Sequence, residues 1–344
     1  MLIDNFGHKL VAWYKKYHRE LPWRETRDPY KIWLSEIILQ QTRVAQGYPY
    51  YEKFTRQYPD VRSLAAASEK EVLHLWQGLG YYSRARNMHA TAKIICDQYN
   101  GTFPGSYQEL VRLKGIGDYT ASAIASFAFD EQTAVVDGNV FRVLARYYGI
   151  HEDISSPASR KIFKEAAITA MPAGQAALFN QAVMEFGALQ CVPVSPACDT
   201  CPVNDSCYAF HHKMQNVLPV KTKKTKVKQR PIHYLVIMAQ GRIAMRERRG
   251  KDIWQGLYDF FSVEAEAINE WNSLLPETLG DLKPRLNAGP LKHILTHQRL
   301  SIHYWLAELS ELRKLPEELQ WYTPEQVRDL PKPLPVNIYL KDFL

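Results

Sequence analysis

Four cysteines, Cys191, Cys198, Cys201 and Cys207, constrain this chain more than any other feature, and they follow the pattern C-x6-C-x2-C-x5-C. Four thiols on so short a stretch can share one metal centre, because each sits on a tight loop near the others. A structural zinc site usually pairs two C-x2-C units across a longer gap, and here only Cys198 and Cys201 form such a unit. The run of single ligands fits an iron–sulfur cage better. Zinc stays open as the alternative, and disulfides fit poorly. Either metal site is closed, with no spare ligand position, so its default role is to hold the fold together.

Length and charge bound what surrounds that loop. A chain of 344 residues predicts two domains, each large enough to bury a core. Hydrophobic content of 46% with 23% charged residues places the chain in the soluble globular class. A net charge of +7 and a pI near 9.0 favour a polyanionic partner. The start Met1-Leu2-Ile3-Asp4 has no basic run followed by an apolar one, so no signal peptide is expected. No stretch is apolar enough for a bilayer, so no membrane partner is expected. The fifth cysteine, Cys96, reads as a buried small hydrophobe. These features together predict a reducing, cytoplasmic setting.

Residues 1–215 read as helical. Periodic apolar segments recur at Lys31–Val44, Glu69–Leu75, Ala85–Asp97, Tyr119–Phe129, Val140–Tyr148, Ser159–Met171 and Gln175–Gln190. Residues 216–231 change character and carry Lys221, Lys223, Lys224, Lys226, Lys228 and Arg230, which predicts a solvated basic linker. Residues 232–344 bring strand patterns at 233–238, 242–246 and 300–306, and predict a smaller α/β domain.

Three places could carry chemistry. In Leu113-Lys114-Gly115-Ile116-Gly117-Asp118-Tyr119 a glycine turn at about 110–125 opens a helix. Such a helix–hairpin–helix aims unpaired N–H groups at a phosphate without reading sequence; an ordinary helix–helix turn is the plainer alternative. Glu36 follows a helix start at Asp28-Pro29 and shares a face with Ile32, Trp33, Leu39 and Gln40. A carboxyl against such neighbours loses solvation and holds its proton to higher pH; the plainer alternative is a partly exposed surface glutamate. Asp137 ends the run Thr133-Ala134-Val135-Val136 and precedes Gly138-Asn139. It reads either as a helix N-cap or as a fixed carboxylate facing a developing cation, with Asn139 orienting it.

The order of motifs resembles the adenine DNA glycosylases, helix–hairpin–helix repair enzymes that remove adenine mispaired with 8-oxoguanine. The matching segments are Leu21-Pro22-Trp23-Arg24, Ser35-Glu36-Ile37-Ile38-Leu39-Gln40-Gln41-Thr42-Arg43-Val44, Gly78-Leu79-Gly80-Tyr81-Tyr82-Ser83-Arg84, Lys114 to Ala121, Val136-Asp137-Gly138-Asn139-Val140 and the cysteine loop at 191–207. The resemblance covers most of residues 20–210 and implies an all-α glycosylase domain with a 4Fe–4S cluster, followed by a smaller α/β domain similar to the Nudix hydrolases. Trp254-Gln255-Gly256-Leu257-Tyr258-Asp259-Phe260 fits that second domain. The repeated glutamates of the Nudix metal motif do not follow it, so binding without hydrolysis is expected there.

The resemblance also implies roles. Glu36 protonates adenine N7 of a flipped base, and Asp137, held by Asn139, stabilises the cationic sugar or bonds to it transiently. Tyr119 lies beside the same centre, and Arg19 and Gln181 contact adenine. Gln41, Leu79 and Tyr81 wedge into the duplex, while Thr42, Ser83, Gly115 and Gly117 join the DNA contacts. Leu295-Thr296-His297 stands where the family commonly has Phe-Ser-His, so Thr296 and His297 are the 8-oxoguanine contacts. Val192 to Ala197 holds no Lys or Arg, unlike many relatives, which weakens any phosphate contact from the cysteine loop. The implied partner is double-stranded DNA with A:8-oxoguanine or A:G mispairs, bound by a monomer. Two rivals stand beside this reading. A strand-cutting glycosylase of the endonuclease III type needs a Schiff-base lysine where Tyr119 stands. A non-catalytic iron–sulfur DNA-binding module has no use for Glu36 and Asp137.

Overall fold

The computed structural model of the protein describes residues 5–222, 227–268 and 270–343. Chain contacts divide it into two units, Met1–Ala66 with Ala90–Lys223, and Ala67–His89 with Lys224–Leu344. The sequence pattern alone puts 67–89 with the helical block 1–215, but its side chains bind it to the second unit. Lys332 N donates to Gln77 Oε1 at 3.1 Å, and Arg86 Nη1 donates to Gln255 O at 2.5 Å. A Cβ on Gly256 would stand only 3.0 Å from Leu73 Cδ1.

The first unit is helical. Asp28 accepts from Tyr30 N at 2.9 Å and Pro29 fills the first turn, so the helix Pro29–Leu39 starts where expected. It stops at Leu39 and not at Val44, because Gln40 leaves the helix at ψ 116° and Gln41 then adopts a left-handed φ of 56°. A second helix, Val44–Gln57, then begins; it and the first helix, Phe6–Tyr17, are not among the segments expected from the sequence. The helix Ala176–Leu189 packs against Phe6–Tyr17 and Gly138–Tyr148 around Phe6, Leu10, Leu144, Phe163, Phe179 and Phe186. Gly187 permits that approach: a Cβ there would lie 2.7 Å from Asn139 Cβ.

In the hairpin, Tyr107–Leu110 leads through the glycine turn to the helix Asp118–Phe129. Only Gly115, at φ 75°, needs a left-handed residue. Gly117 is extended at φ −88° and faces open space, so its missing side chain leaves the helix start uncovered.

The second unit is built on a mixed sheet. Its strands are β1 Lys228–Ala239, β2 Arg242–Glu247, β3 Tyr258–Asp259, β4 Phe261–Glu264, β5 Arg285–Ile294, β6 Gln298–Leu309 and β7 Gln320–Tyr322. The spatial order is β3-β2-β1-β6-β5, with β4 on β1 and β7 on β2. Gln240 and Gly241, at φ 46° and 72°, make the two-residue turn joining β1 to β2. β1 and β6 run parallel from Lys228↔Gln298 to Ala239↔Leu309. The three strand-like segments fall inside β1, β2 and β6. The expected linker 216–231 is shorter than its charge pattern implies, because β1 begins at Lys228. Arg230 is 7% exposed and pairs with Asp252 and Glu264, so it is a structural cation of the sheet. Lys223, Lys224 and Lys226 lie outside the described residues. Among the described residues, no helix is long and apolar enough to cross a membrane.

Candidate active site

Glu36, Tyr119, Asp137 and Asn139 meet on the wall of one cavity of about 190 Å³ in the helical unit. Three elements bring them there: the helix Pro29–Leu39, the hairpin helix Asp118–Phe129, and the start of Gly138–Tyr148. Glu36 is 8% exposed, between Ile32 and Leu39 of its own helix. Burial pushes its carboxyl up to about 7, the Tyr119 hydroxyl donates to it and draws it back, and the Asp137 charge raises it further. Tyr119 is itself held neutral, first by burial and then by the two carboxyls it faces. Glu36 therefore holds its proton to near neutral pH, as a carboxyl on an apolar helix face should.

Asp137 is an N-cap, and Asn139 also orients its carboxylate. Its Oδ1 accepts from Val140 N at 2.8 Å, which caps the helix, and Oδ2 accepts from Asn139 Nδ2 at 3.0 Å. Burial raises the Asp137 carboxyl, and these two donors oppose it. Arg142 Nη2 holds Asn139 Oδ1 at 2.8 Å and Gly187 O at 2.7 Å, while its Nε holds Cys191 O at 2.8 Å. A chain of hydrogen bonds thus runs from the cysteine loop to the carboxylate.

Arg19 and Gln181 line the same cavity, as the resemblance implies. Glu185 and Arg24 also line it, with Tyr14 bonded to Gln181, and these three carry no role in the sequence reading. Glu185 sits between Arg19 and Arg24, and Tyr14 OH donates to Gln181 Oε1 at 2.7 Å. Arg24 belongs to the Leu-Pro-Trp-Arg motif, but pairing across more than 160 positions, at 2.6 Å to Glu185, leaves no local sequence signal.

The four cysteines line one small cavity together with Val143, Arg146, Phe186 and Phe210. Arg146 donates to Cys191 Sγ at 3.4 Å, Val192 O at 2.8 Å and Pro193 O at 3.0 Å, which folds the loop and sets a cation beside the thiolates. No three His, Cys, Asp or Glu groups among the described residues gather as a single-ion site. Four thiols spread around an apolar cavity fit a polynuclear cluster better than one zinc. The cluster supplies cross-linking of this loop by four thiolates. Cys198→Ser is expected to lower bound iron from about four per chain and to weaken duplex binding with it. Iron analysis checks this, and stoichiometric zinc in anaerobically prepared wild type would overturn it.

The remaining residues are placed as follows. Thr42 lines the catalytic cavity, and Gln41 is exposed beside it. In the second unit Tyr81, at φ 50°, turns its hydroxyl to Thr296 Oγ1. Thr296 and His297 are exposed at the β5–β6 turn, and Ser83 is exposed at the start of a helix. Leu79 is 5% exposed and lines one cavity of the second unit with Tyr81, Thr296 and His297.

Comparison with known proteins gives the family of the chain. Residues 34–167 match the HhH-GPD superfamily of base excision DNA repair proteins, 233–342 match the NUDIX domain, and 191–207 match the iron–sulfur binding domain of endonuclease III. A thermostable thymine-DNA glycosylase of known structure superposes with a TM-score of 0.55 at 27% identity, covering 60% of this chain and 95% of its own. An adenine DNA glycosylase of Buchnera aphidicola subsp. Baizongia pistaciae is 35% identical over 87% of this chain and 84% of its own length. That of Buchnera aphidicola subsp. Schizaphis graminum is 33% identical over 100% of both chains. With a helix–hairpin–helix domain, an iron–sulfur loop and a NUDIX domain in that order, the chain belongs to the adenine DNA glycosylase family of base excision repair.

Proposed function

We propose that this enzyme removes adenine mispaired with 8-oxoguanine, or with guanine, and leaves the strand uncut. The observation that carries the reading is a protonatable Glu36 beside Tyr119 and Asp137 in one cavity. A flipped adenine enters that cavity between Arg19 and Gln181. Glu36 gives its proton to N7, the bond from N9 to the sugar C1′ breaks, and adenine leaves carrying the proton. Asp137, aligned by Asn139, offsets the positive sugar. Water then adds to C1′ and loses its proton to a carboxylate, leaving an abasic site.

Thr296 and His297, with Tyr81 beside them, read the opposite base. Thr296 keeps the hydroxyl of the more usual serine and adds a methyl group that changes its approach. Gln41 and Tyr81, both in left-handed turns, enter the duplex, while Gly115 and Gly117 receive a phosphate. The enzyme acts as a monomer in the cytoplasm.

Base release from duplexes with adenine opposite 8-oxoguanine, adenine opposite guanine, and a thymine glycol control tests this. Release is expected fastest from the first and absent from the third. Borohydride added during turnover should trap no adduct at the rate of adenine release, because Tyr119 has no amine for an imine. An adduct forming as fast as adenine appears overturns the uncut-strand reading.

A further inference from the structure

The catalytic cavity contains a buried carboxylate that the proposed mechanism does not use. Glu185 has a side chain with 0% exposure and accepts four bonds: Arg19 N at 3.0 Å, Arg19 Nε at 2.7 Å, Arg19 Nη2 at 2.6 Å and Arg24 Nη2 at 2.6 Å. Arg24 Nη1 donates back to Arg19 O at 3.2 Å, which closes the cluster. The Arg24 guanidinium also lies 5.8 Å over the Tyr14 ring, and the Tyr14 hydroxyl fixes the Gln181 amide. We infer that Glu185 is a positioning residue for base excision: it clamps Arg19 and Arg24 on the pocket wall and offsets their charge next to Glu36.

Electrostatics and geometry act together at Glu185. A carboxylate saturated by two arginines gains little by packing alone, and a buried pair is weak evidence of stability. Its placement here has a consequence for the acid. Arg24 acts on Glu36 and draws its carboxyl towards ionisation, against burial and the Asp137 charge. Burial opposes ionisation of Glu185 too, but Arg19 and Arg24 together hold its carboxyl down to about 2, so it stays an anion at any working pH. As a fixed anion it cancels part of the guanidinium field. The charged groups facing Glu185 are Arg19 and Arg24, with Tyr14 from the first helix. Those facing Glu36 are Tyr119, Asp137 and Arg24. Remove the Glu185 charge, and two arginines stand uncompensated beside an acid that must keep its proton.

This inference rests on Glu36 as the acid, and the test separates the two. Single-turnover adenine release is measured against pH for wild type, E185Q, E185D, R24Q and the double variant E185Q/R24Q, with thermal melts beside each. The wild-type rate should fall on the alkaline side as Glu36 loses its proton. In E185Q that fall should move to lower pH, by on the order of one unit. In R24Q it should move to higher pH, and in the double variant it should return towards wild type. E185D, which keeps the charge, should restore most of the wild-type profile. A folded E185Q that is slower at every pH with an unshifted profile overturns the clamp. Should E185Q fail to fold, R24Q decides alone, and an unshifted or acid-shifted profile overturns it. A wild-type rate with no alkaline fall overturns the acid role of Glu36 and the clamp with it; a wild-type fall that neither variant moves overturns the clamp alone.

Discussion

Glu36→Gln is expected to slow single-turnover adenine release by about 10²–10⁴-fold and, at pH 8, to make the protein more stable. The first effect follows from removing the proton donor. The second follows from linkage. Glu36 titrates near 4.5 in an unfolded chain and at about 7 in the cavity, so between those values the folded state binds the proton that the unfolded state has lost. Stability from this group is full below pH 4.5 and falls as pH rises through about 7, a loss on the order of 3 kcal/mol. Glutamine has no charge to desolvate and escapes that loss. Melting temperatures of the two proteins should therefore diverge at pH 8 and converge at pH 4.5. Wild-type release rates in the variant would remove Glu36 from the mechanism, whatever its melting curve does.

The proposed acid is a carboxyl whose burial weakens the fold, and that same burial makes it visible in the sequence. A glutamate on a face with Ile32, Trp33 and Leu39 breaks the local rule of amphipathic helices, and such breaks gather at functional sites. Asp137 was visible for the opposite reason: it obeys a local rule, the N-cap, so its local signal alone could not separate two roles. The cysteine spacing was legible because its ligands lie close in sequence. What stayed hidden depends on distant partners. Glu185 meets Arg19 across 166 positions, and Tyr14 meets Gln181 across 167. No periodicity encodes such pairs. The end of the helix at Leu39 was missed because Gln41 takes a left-handed turn that glycine or asparagine would have announced. Likewise 67–89 reads as one more helical stretch, and only its partners Gln255 and Lys332, far along the chain, reveal which unit it joins. The burial of Leu79 is hidden on the same ground, since burial is a tertiary property.

Asp137→Asn separates a cap from a catalytic charge, because it keeps one and removes the other. Asparagine caps a helix about as well as aspartate. Its side-chain oxygen can take the 2.8 Å bond from Val140 N, so the melting temperature should change little. The rate should nevertheless fall by about 10²–10³-fold, the usual loss when a fixed group facing transition-state charge is removed. Two further readouts sharpen the contrast. Asp137→Ala loses both functions and should be slow and also less stable, by about 1 kcal/mol. In Asp137→Asn the carboxylate that raises Glu36 is gone, so any residual rate should lose its alkaline side at lower pH than wild type. A cap with no catalytic part predicts the reverse pattern: full activity in Asp137→Asn, and in Asp137→Ala a loss of rate only in proportion to unfolding. Asn139 lies on both paths, since its Nδ2 holds Asp137 and its Oδ1 is held by Arg142. The negative charge is thus kept in place by a residue anchored to the cysteine loop through Cys191 O.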